Sequence, residues 1–149
     1  YDRLFSRGLA RDNFFLQITF FGQVRFQQAN PVECQSTVMN AARKALATCK
    51  VVYVRGDFLE KSVASEPPID FFSISDAPSY FSGSTEREFL QRLKPRLGTK
   101  GLVVARYYMR IPENVETAGF LDVSSRYAPA IAAEKVQMYR ISIYEKGAS

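Results

Sequence analysis

Apolar and polar residues alternate along several short runs of the chain, which is the period-two pattern of a β-strand. The pattern predicts five strands, at Phe14–Phe26, Val51–Phe58, Ile69–Ile74, Leu102–Ile111 and Val136–Tyr144. The strand Leu102–Ile111 has the clearest pattern. One of its faces holds Val103, Ala105, Tyr107, Met109 and Ile111, and the other holds Arg106, Tyr108 and Arg110. We therefore expect this strand at the centre of a sheet.

Two helices are predicted between these strands. The first begins at Asn30 and Pro31, where a capping side chain precedes a residue suited to the first helical position. The second follows Thr85, has Glu88 three residues after that cap, and buries Phe89, Leu90, Leu93 and Leu97. Pro95 should end this helix near Lys94, because proline has no backbone N–H to donate.

The resulting order is β-α-β-β-α-β with one more strand at the end. It predicts an α+β fold in which an antiparallel sheet carries two helices on one face, either ferredoxin-like or built from a duplicated α/β unit. We expect a basic N-terminal arm over residues 1–13 and a single domain over 14–149. Because the first residue is Tyr1 rather than Met, we also expect that the N-terminus has been processed or trimmed.

Charge and composition narrow the class of function. The net charge is +5 and the sequence pI is about 9.3, which favours an acidic partner: nucleic acid, an anionic membrane or an acidic protein. The chain has no His and two Cys, too few for a zinc site with these ligands or for a disulfide scaffold. It has no apolar run long enough to span a membrane, no His-dependent catalytic triad and no glycine-rich phosphate loop. We therefore expect a protein that is not an enzyme.

The basic residues of the predicted strands are interleaved with tyrosine. Solvent-facing positions hold Tyr53, Arg55, Arg106, Tyr108, Arg110 and Arg140. Arginine and tyrosine together on a sheet can bind single-stranded nucleic acid through phosphate contacts and base stacking. The run KGLVVARY follows the pattern of an RNA-recognition strand, but Leu102 and Val104 stand where the stacking aromatics belong. A nucleic-acid-binding or ribosome-associated module is the alternative function.

Cys34 and Cys49 both fall on the first predicted helix. Fifteen residues of helix separate them by roughly 22 Å, so they cannot form a disulfide with each other. The two interpretations that remain are small packed residues and thiols that attach a ligand covalently.

The stretch from Asp76 to Tyr108, DAPSYFSGSTEREFLQRLKPRLGTKGLVVARYY, resembles the small linker domain of phycobilisome linker proteins, including the red-algal gamma-type linkers. The resemblance rests on a Pro-Tyr turn at Pro78 and Tyr80, a charged helix, and a basic turn at Leu97, Gly98 and Lys100. The final run VQMYRISIYEKG is also similar to the opening strand of that domain.

This resemblance implies a non-catalytic basic linker or scaffold that binds acidic protein partners, namely ring-shaped phycobiliproteins, within a light-harvesting assembly. It implies a location in the plastid stroma or in the cyanobacterial cytoplasm at the thylakoid surface, and covalent bilin on Cys34 or Cys49. The side chains expected to contact the partner are Arg55, Arg87, Arg92, Arg96, Lys100, Arg106, Tyr108 and Arg110.

Overall fold

The computed structural model describes residues 5, 8–63, 67–108 and 110–147. Their helices are α1 (Phe14–Phe21), α2 (Ser36–Leu46), α3 (Phe58–Val63), α4 (Gly83–Leu93) and α5 (Ala128–Ala132). The strands are β1 (Ile69–Ile74), β2 (Leu97–Tyr107), β3 (Phe120–Asp122) and β4 (Arg140–Lys146). Short 3-10 helices lie at Ala10–Asp12, Gln27–Ala29, Val32–Cys34, Ala77–Tyr80, Lys94–Arg96 and Ser124–Tyr127.

The chain divides into two compact units. The first unit comprises Tyr1–Tyr53 and Ala132–Met138, and the second comprises Val54–Ile131 and Tyr139–Ser149. A single domain over 14–149 stays a prediction.

The second unit contains the sheet, whose strand order is β1-β2-β4-β3. Strands β1 and β2 are parallel, whereas β4 is antiparallel to both β2 and β3. A fold of mixed helices and strands is therefore confirmed, but the predicted antiparallel sheet is only partly right, because this sheet is mixed. The reason is the position of α4, which carries the chain back across the sheet so that β2 starts at the same end as β1.

The core of the second unit lies between its helices and one face of the sheet. Phe89, Leu90 and Leu93 of α4 are completely buried there, and Leu59 of α3 joins the same cluster. The sheet contributes Ile74, Leu97, Val103 and Phe120 to this cluster. Two helices thus pack on one core as expected, but they are α3 and α4 rather than the helix predicted from Asn30.

Strand β2 differs from its prediction in its bounds. Val103, Ala105 and Tyr107 are buried as expected, so the predicted alternation is confirmed over this part. The strand ends at Tyr107, so Ile111 is 45% exposed; Met109 lies outside the described residues.

A bulge at the start of β2 extends this strand towards its N-terminus. The Ile69–Leu97 and Phe71–Leu102 pairs leave extra residues on β2 between them. A side chain at Gly101 would approach the carbonyl oxygen of Gly98 to 2.9 Å, so this bend requires glycine. The strand therefore begins at Leu97 rather than Leu102.

The first predicted strand, Phe14–Phe26, is wrong because the chain forms α1 there. The Asn13 side chain caps this helix by accepting a hydrogen bond from the Leu16 N–H at 3.0 Å. Gly22 ends it in the left-handed conformation, with φ of 67°. These local helix signals override the preference of phenylalanine for strands.

The buried Gln17 side chain holds α1 to its flanking segments. Its amide donates to the Arg11 carbonyl at 2.6 Å, and its carbonyl oxygen accepts from the N–H groups of Arg25 and Phe26 at 2.8 and 3.0 Å. A polar side chain can be buried here because it is fully hydrogen-bonded.

The second predicted strand, Val51–Phe58, is also wrong. Residues 51–57 are exposed and form no strand, and Phe58 already belongs to α3. The Asp57 carboxylate accepts a hydrogen bond from the Leu59 N–H at 2.8 Å, which favours a helix start at this point. No described strand lies beside residues 51–57 to pair with them.

The remaining predictions hold with shifted boundaries. Strand β1 has the predicted bounds, and α4 ends at Leu93, where Pro95 was expected to stop it. The first predicted helix is present as α2 but begins at Ser36. The last strand lies at Arg140–Lys146 instead of Val136–Tyr144, and the structure adds β3, which no pattern predicted. Among the described residues, no helix is both long and apolar enough to cross a membrane.

Candidate partner-binding surface

The sheet has a second face, opposite the core, which the register of its strands defines. Side chains of Leu102, Val104 and Arg106 on β2 alternate there with the buried side chains of the core face. The register aligns them with Phe71 and Ser73 of β1, and with Ile141, Ile143 and Glu145 of β4. Leu121 of β3 aligns with Glu145. We call these nine residues the second face.

Most of the second face is apolar. Phe71 and Leu121 are 55% and 57% exposed, and Leu102 and Val104 are half-buried. Ile143 is buried, and its N–H donates to the Ser124 hydroxyl at 2.9 Å. Large exposed apolar side chains on one face are typical of surfaces that contact another molecule.

Arg106 is the basic residue of the second face. Its guanidinium donates to the Ser73 hydroxyl over a long distance of 3.5 Å, and its Nε is buried without a hydrogen-bond partner. No carboxylate in the described part of the chain forms an ion pair with it. A buried donor without an acceptor is unfavourable. An acidic group from another molecule can pair with the part of this guanidinium that is exposed to solvent.

Two tyrosines lie beyond the end of β2. The rings of Tyr108 and Tyr139 are 6.1 Å apart between centroids, and Tyr108 is 46% exposed. The Tyr108 N–H donates to the Asp76 carboxylate at 2.7 Å, which fixes the backbone at this point. This pair supplies the exposed aromatic surface that was expected beside Arg106.

Arg110 serves the structure of its own unit. Its guanidinium donates to the Glu86 carboxylate and to the carbonyl oxygens of Ser79 and Phe81. The hydrogen bond from Arg110 and a second one from the Glu113 N–H lower the pKa of Glu86. With its donors used in this way, Arg110 ties the segment after β2 to α4.

The basic residues of α4 are partly neutralised within the helix. Glu88 accepts a hydrogen bond from Arg87 at 2.9 Å and lies 4.0 Å from Arg92. The same contact raises the pKa of Arg87. Both arginines remain exposed, but such surface pairs contribute little to stability. They are therefore available to exchange Glu88 for an acidic partner.

The other predicted contact residues are dispersed. Arg96 is half-buried in the 3-10 helix after α4, and Lys100 is exposed in the bulge of β2 with φ of 61°. Arg55 and Tyr53 are exposed in the segment without secondary structure, so the expected placement of these two residues on a strand is wrong. The structure thus brings Arg106 and Tyr108 to one end of β2 but leaves Arg55 off the sheet.

Cys34 and Cys49 are both exposed free thiols. Cys34 lies in the 3-10 helix Val32–Cys34 and Cys49 follows α2, so neither is on the α-helix itself. The helical spacing used to separate them does not apply, and both thiols are free in the structure. The interpretation as small packed residues is wrong, because both side chains face solvent.

Sequence patterns did not place Phe71, Leu121 and Tyr139 in the surface. Phe71 is adjacent to Phe72 in β1, and only the pairing of β1 with β2 shows which of the two faces the core. Leu121 lies in a strand of three residues, too short to show a period.

Within the described ranges, no group of three or more Cys, Asp or Glu side chains is arranged to hold a metal ion. Comparisons of the chain with protein-family models, with curated proteins and with solved structures gave no match.

Proposed function

We propose that this chain is a non-catalytic basic scaffold protein that binds acidic protein partners through the second face of its sheet. The observation that carries the proposal is Arg106, a half-buried cation with a buried, unsatisfied Nε on a mostly apolar face that also holds Ser73 and Glu145. A partner carboxylate placed on this guanidinium would form a charge-assisted, desolvated ion pair. Arginine within an apolar, aromatic surface is the usual composition of a binding hot spot.

The apolar character of the second face favours a protein partner over nucleic acid. Leu102 and Val104 occupy the middle of β2 on this face, where a nucleic-acid-binding sheet places aromatic rings. Aliphatic side chains cannot stack with bases, but they pack well against the side chains of another protein. The feature that favours nucleic acid is the pair Tyr108 and Tyr139, which lies outside the strand itself.

The finer form of the proposal is a phycobilisome linker. In this form the acidic partner is a ring-shaped phycobiliprotein, and the location is the plastid stroma or the cyanobacterial cytoplasm at the thylakoid surface. Exposed Cys34 and Cys49 are accessible for covalent bilin attachment. Visible absorbance of the native protein, together with a bilin-sized mass adduct on either thiol, supports this form. Unmodified thiols would refute covalent attachment of bilin. The scaffold proposal would then be decided by the binding test alone.

The decisive test of the scaffold is binding of a phycobiliprotein ring by the wild-type chain and by Arg106→Glu. We expect the substitution to weaken binding at least about tenfold, since losing a desolvated charged contact has effects above 1.4 kcal/mol. The matched control is Arg43→Glu, which changes net charge equally at an exposed position of α2. Equal affinities of the two variants would show that only total charge matters and would contradict the proposed site.

A parallel titration with an unstructured oligonucleotide tests the alternative function. If the chain binds nucleic acid, its affinity should fall by orders of magnitude between low and physiological salt, because counterions are released on binding. Tight oligonucleotide binding without any affinity for acidic protein would overturn the scaffold proposal.

The parallel pair β1 and β2 favours a second candidate function, binding of a small polar molecule. In α/β units joined by a helical crossover, ligands bind outside the carboxyl ends of the strands. Asp76, Ser79 and Tyr108 meet at these ends: the Asp76 carboxylate accepts hydrogen bonds from the Ser79 hydroxyl at 2.5 Å and from the Tyr108 N–H at 2.7 Å. Tyr80, beside them in the sequence, is 74% exposed.

Thermal shift against a panel of nucleotides and adenosine-containing cofactors tests this candidate. A ligand that raises the melting temperature of the wild-type chain should lose its effect in Asp76→Asn. It should keep its effect in the matched control Asp122→Asn, on β3. No shift with any compound of the panel would count against the candidate.

A further inference from the structure

Strand β1 has the sequence of an interior strand of a sheet. Phe72 and Ile74 pack on the core side, but Ile69 and Phe71 are also large and apolar. Strands with apolar residues on both faces are typical of the buried, parallel part of a sheet. Phe71 is nevertheless 55% exposed. Its exposure shows that no described residue covers the second face at this position.

The position of β1 adds a second observation, since it is the outer strand of the described sheet. Edge strands of soluble proteins are usually protected by lysine, proline or inward-pointing charges. The sequence of β1, IDFFSI, contains no Lys and no Pro, and its one charged residue is Asp70. This edge can therefore accept another strand.

The same chain contains a strand-forming segment that has no partner. Lys50–Arg55, KVVYVR, consists of β-branched and aromatic residues between two cations. Its apolar residues Val51, Val52, Tyr53 and Val54 are 52%, 65%, 94% and 66% exposed. A contiguous apolar run with this exposure marks an interaction site.

We propose that two copies of this chain exchange these elements, so that Lys50–Arg55 of each copy adds as a strand to the β1 edge of the other. Both elements are six residues long, and the two cations complement the exposed Asp70. A reciprocal exchange uses the same two surfaces on each copy, so it closes as a two-fold symmetric dimer. This exchange uses the edge of β1 and the proposed partner binding uses the second face, and Phe71 belongs to both.

The connection within one chain favours a second copy as the source of the strand. Residues 56–68 join the two elements, close to the minimum of about a dozen residues for a crossover between parallel strands. Part of this connection is fixed, because Leu59 of α3 is buried in the core of the second unit. A strand from another copy has no such restriction.

Measurement of the molar mass over a range of concentrations is the first test. We expect a concentration-dependent dimer of the wild-type chain that Val52→Pro and Tyr53→Pro together abolish. Successive N–H groups of a strand point to opposite edges, so one of these two residues must donate to β1. The matched control is Val32→Pro, at the exposed first position of a 3-10 helix where proline is tolerated. A chain that is monomeric at all concentrations, or a dimer that survives Val52→Pro and Tyr53→Pro together, would overturn the proposal.

Disulfide trapping between different molecules is the second test. In a background of Cys34→Ser and Cys49→Ser, one chain carries Tyr53→Cys or Val52→Cys and the other carries Phe71→Cys. Two variants are needed because the added strand can be parallel or antiparallel to β1. Opposed residues of paired strands are close enough for a disulfide. We expect oxidation of one of these mixtures to give a covalent dimer in high yield.

Two controls distinguish this exchange from its alternatives. A mixture of chains with Tyr53→Cys and chains with Tyr80→Cys should give little covalent dimer. Tyr80 is exposed but lies outside both elements. A single chain that carries both Tyr53→Cys and Phe71→Cys should form bonds between chains. A bond within that chain would place the strand in its own sheet and would contradict exchange between copies.

Discussion

The core between α4 and the sheet predicts a large difference between two identical substitutions. Leu93 on α4 is completely buried, whereas Leu121 on β3 is 57% exposed. Removing a fully buried leucine side chain leaves a cavity and destabilises a protein by about 2–5 kcal/mol. The same change at Leu121 removes side-chain atoms that are mostly in solvent already, so we expect Leu121→Ala to lower the free energy of unfolding by less than about 1 kcal/mol.

The assay is urea and thermal unfolding of both variants and of the wild-type chain, followed by far-UV circular dichroism. For a chain of this size, about 1 kcal/mol corresponds to a shift of roughly 2–4 °C in melting temperature, so Leu93→Ala should melt roughly 4–20 °C below wild type. Hydrogen exchange of the β2 amides shows whether the loss lies in the second unit. Equal destabilisation by Leu93→Ala and Leu121→Ala would refute the placement of α4 on the core.

Three further predictions follow from local contacts. The Glu86 pKa is lowered by Arg110, so the stability that this carboxylate contributes is present above its ordinary pKa and is lost as the pH falls through the lowered one. Stability should therefore decline less on acidification in Glu86→Gln, and equal acid profiles would contradict this. Asn13→Ala should lower helix stability by about 1 kcal/mol in a thermal melt, because the Leu16 N–H loses its acceptor; an unchanged melt would refute capping. Exposed Cys34 and Cys49 should both react rapidly with a thiol reagent in the native chain, and slow reaction would contradict their exposure.

The sequence predicted well those elements of the second unit whose signals are local. The apolar stripe of α4, its end before Pro95 and the alternation in β2 depend on residues a few positions apart. Strand β1 was found with its correct bounds because Pro68 precedes it and a polar turn follows. The parallel direction of β1 and β2 was not predicted, because no local pattern shows on which side of a sheet a helix returns.

The wrong secondary-structure predictions lie in runs of phenylalanine and valine, whose pattern does not determine the structure that forms. The run Phe14–Phe21 has apolar residues on every side, so its period cannot distinguish a strand from a helix. This run forms a helix because Asn13 caps its start and Gly22 ends it. The run Val51–Val54 has strand-forming residues but no neighbour in the described sheet, and strand structure requires pairing with another strand.

Only part of the candidate surface could be predicted, because it too depends on which strands are paired. Arg106 and Tyr108 follow from the alternation of β2, and the structure places both at one end of that strand. Arg110 occupies the same pattern but donates to Glu86 and to two carbonyl groups, contacts that depend on the fold around it. Of the apolar residues on the second face, Ile141 is paired with Arg106, whereas Phe71 is paired with Leu102, four residues earlier on β2. Only the register shows which of them lies near Arg106.

Binding of the Arg106→Glu variant to a phycobiliprotein ring, compared with Arg43→Glu at the same ionic strength, tests the central claim most directly. Our account predicts that Arg106→Glu loses at least about tenfold in affinity while Arg43→Glu stays within about threefold of wild type. Both variants should unfold at the same temperature as the wild-type chain to within a few degrees. Equal binding by all three chains, or no binding of the wild-type chain to the acidic ring, would contradict a partner site at Arg106.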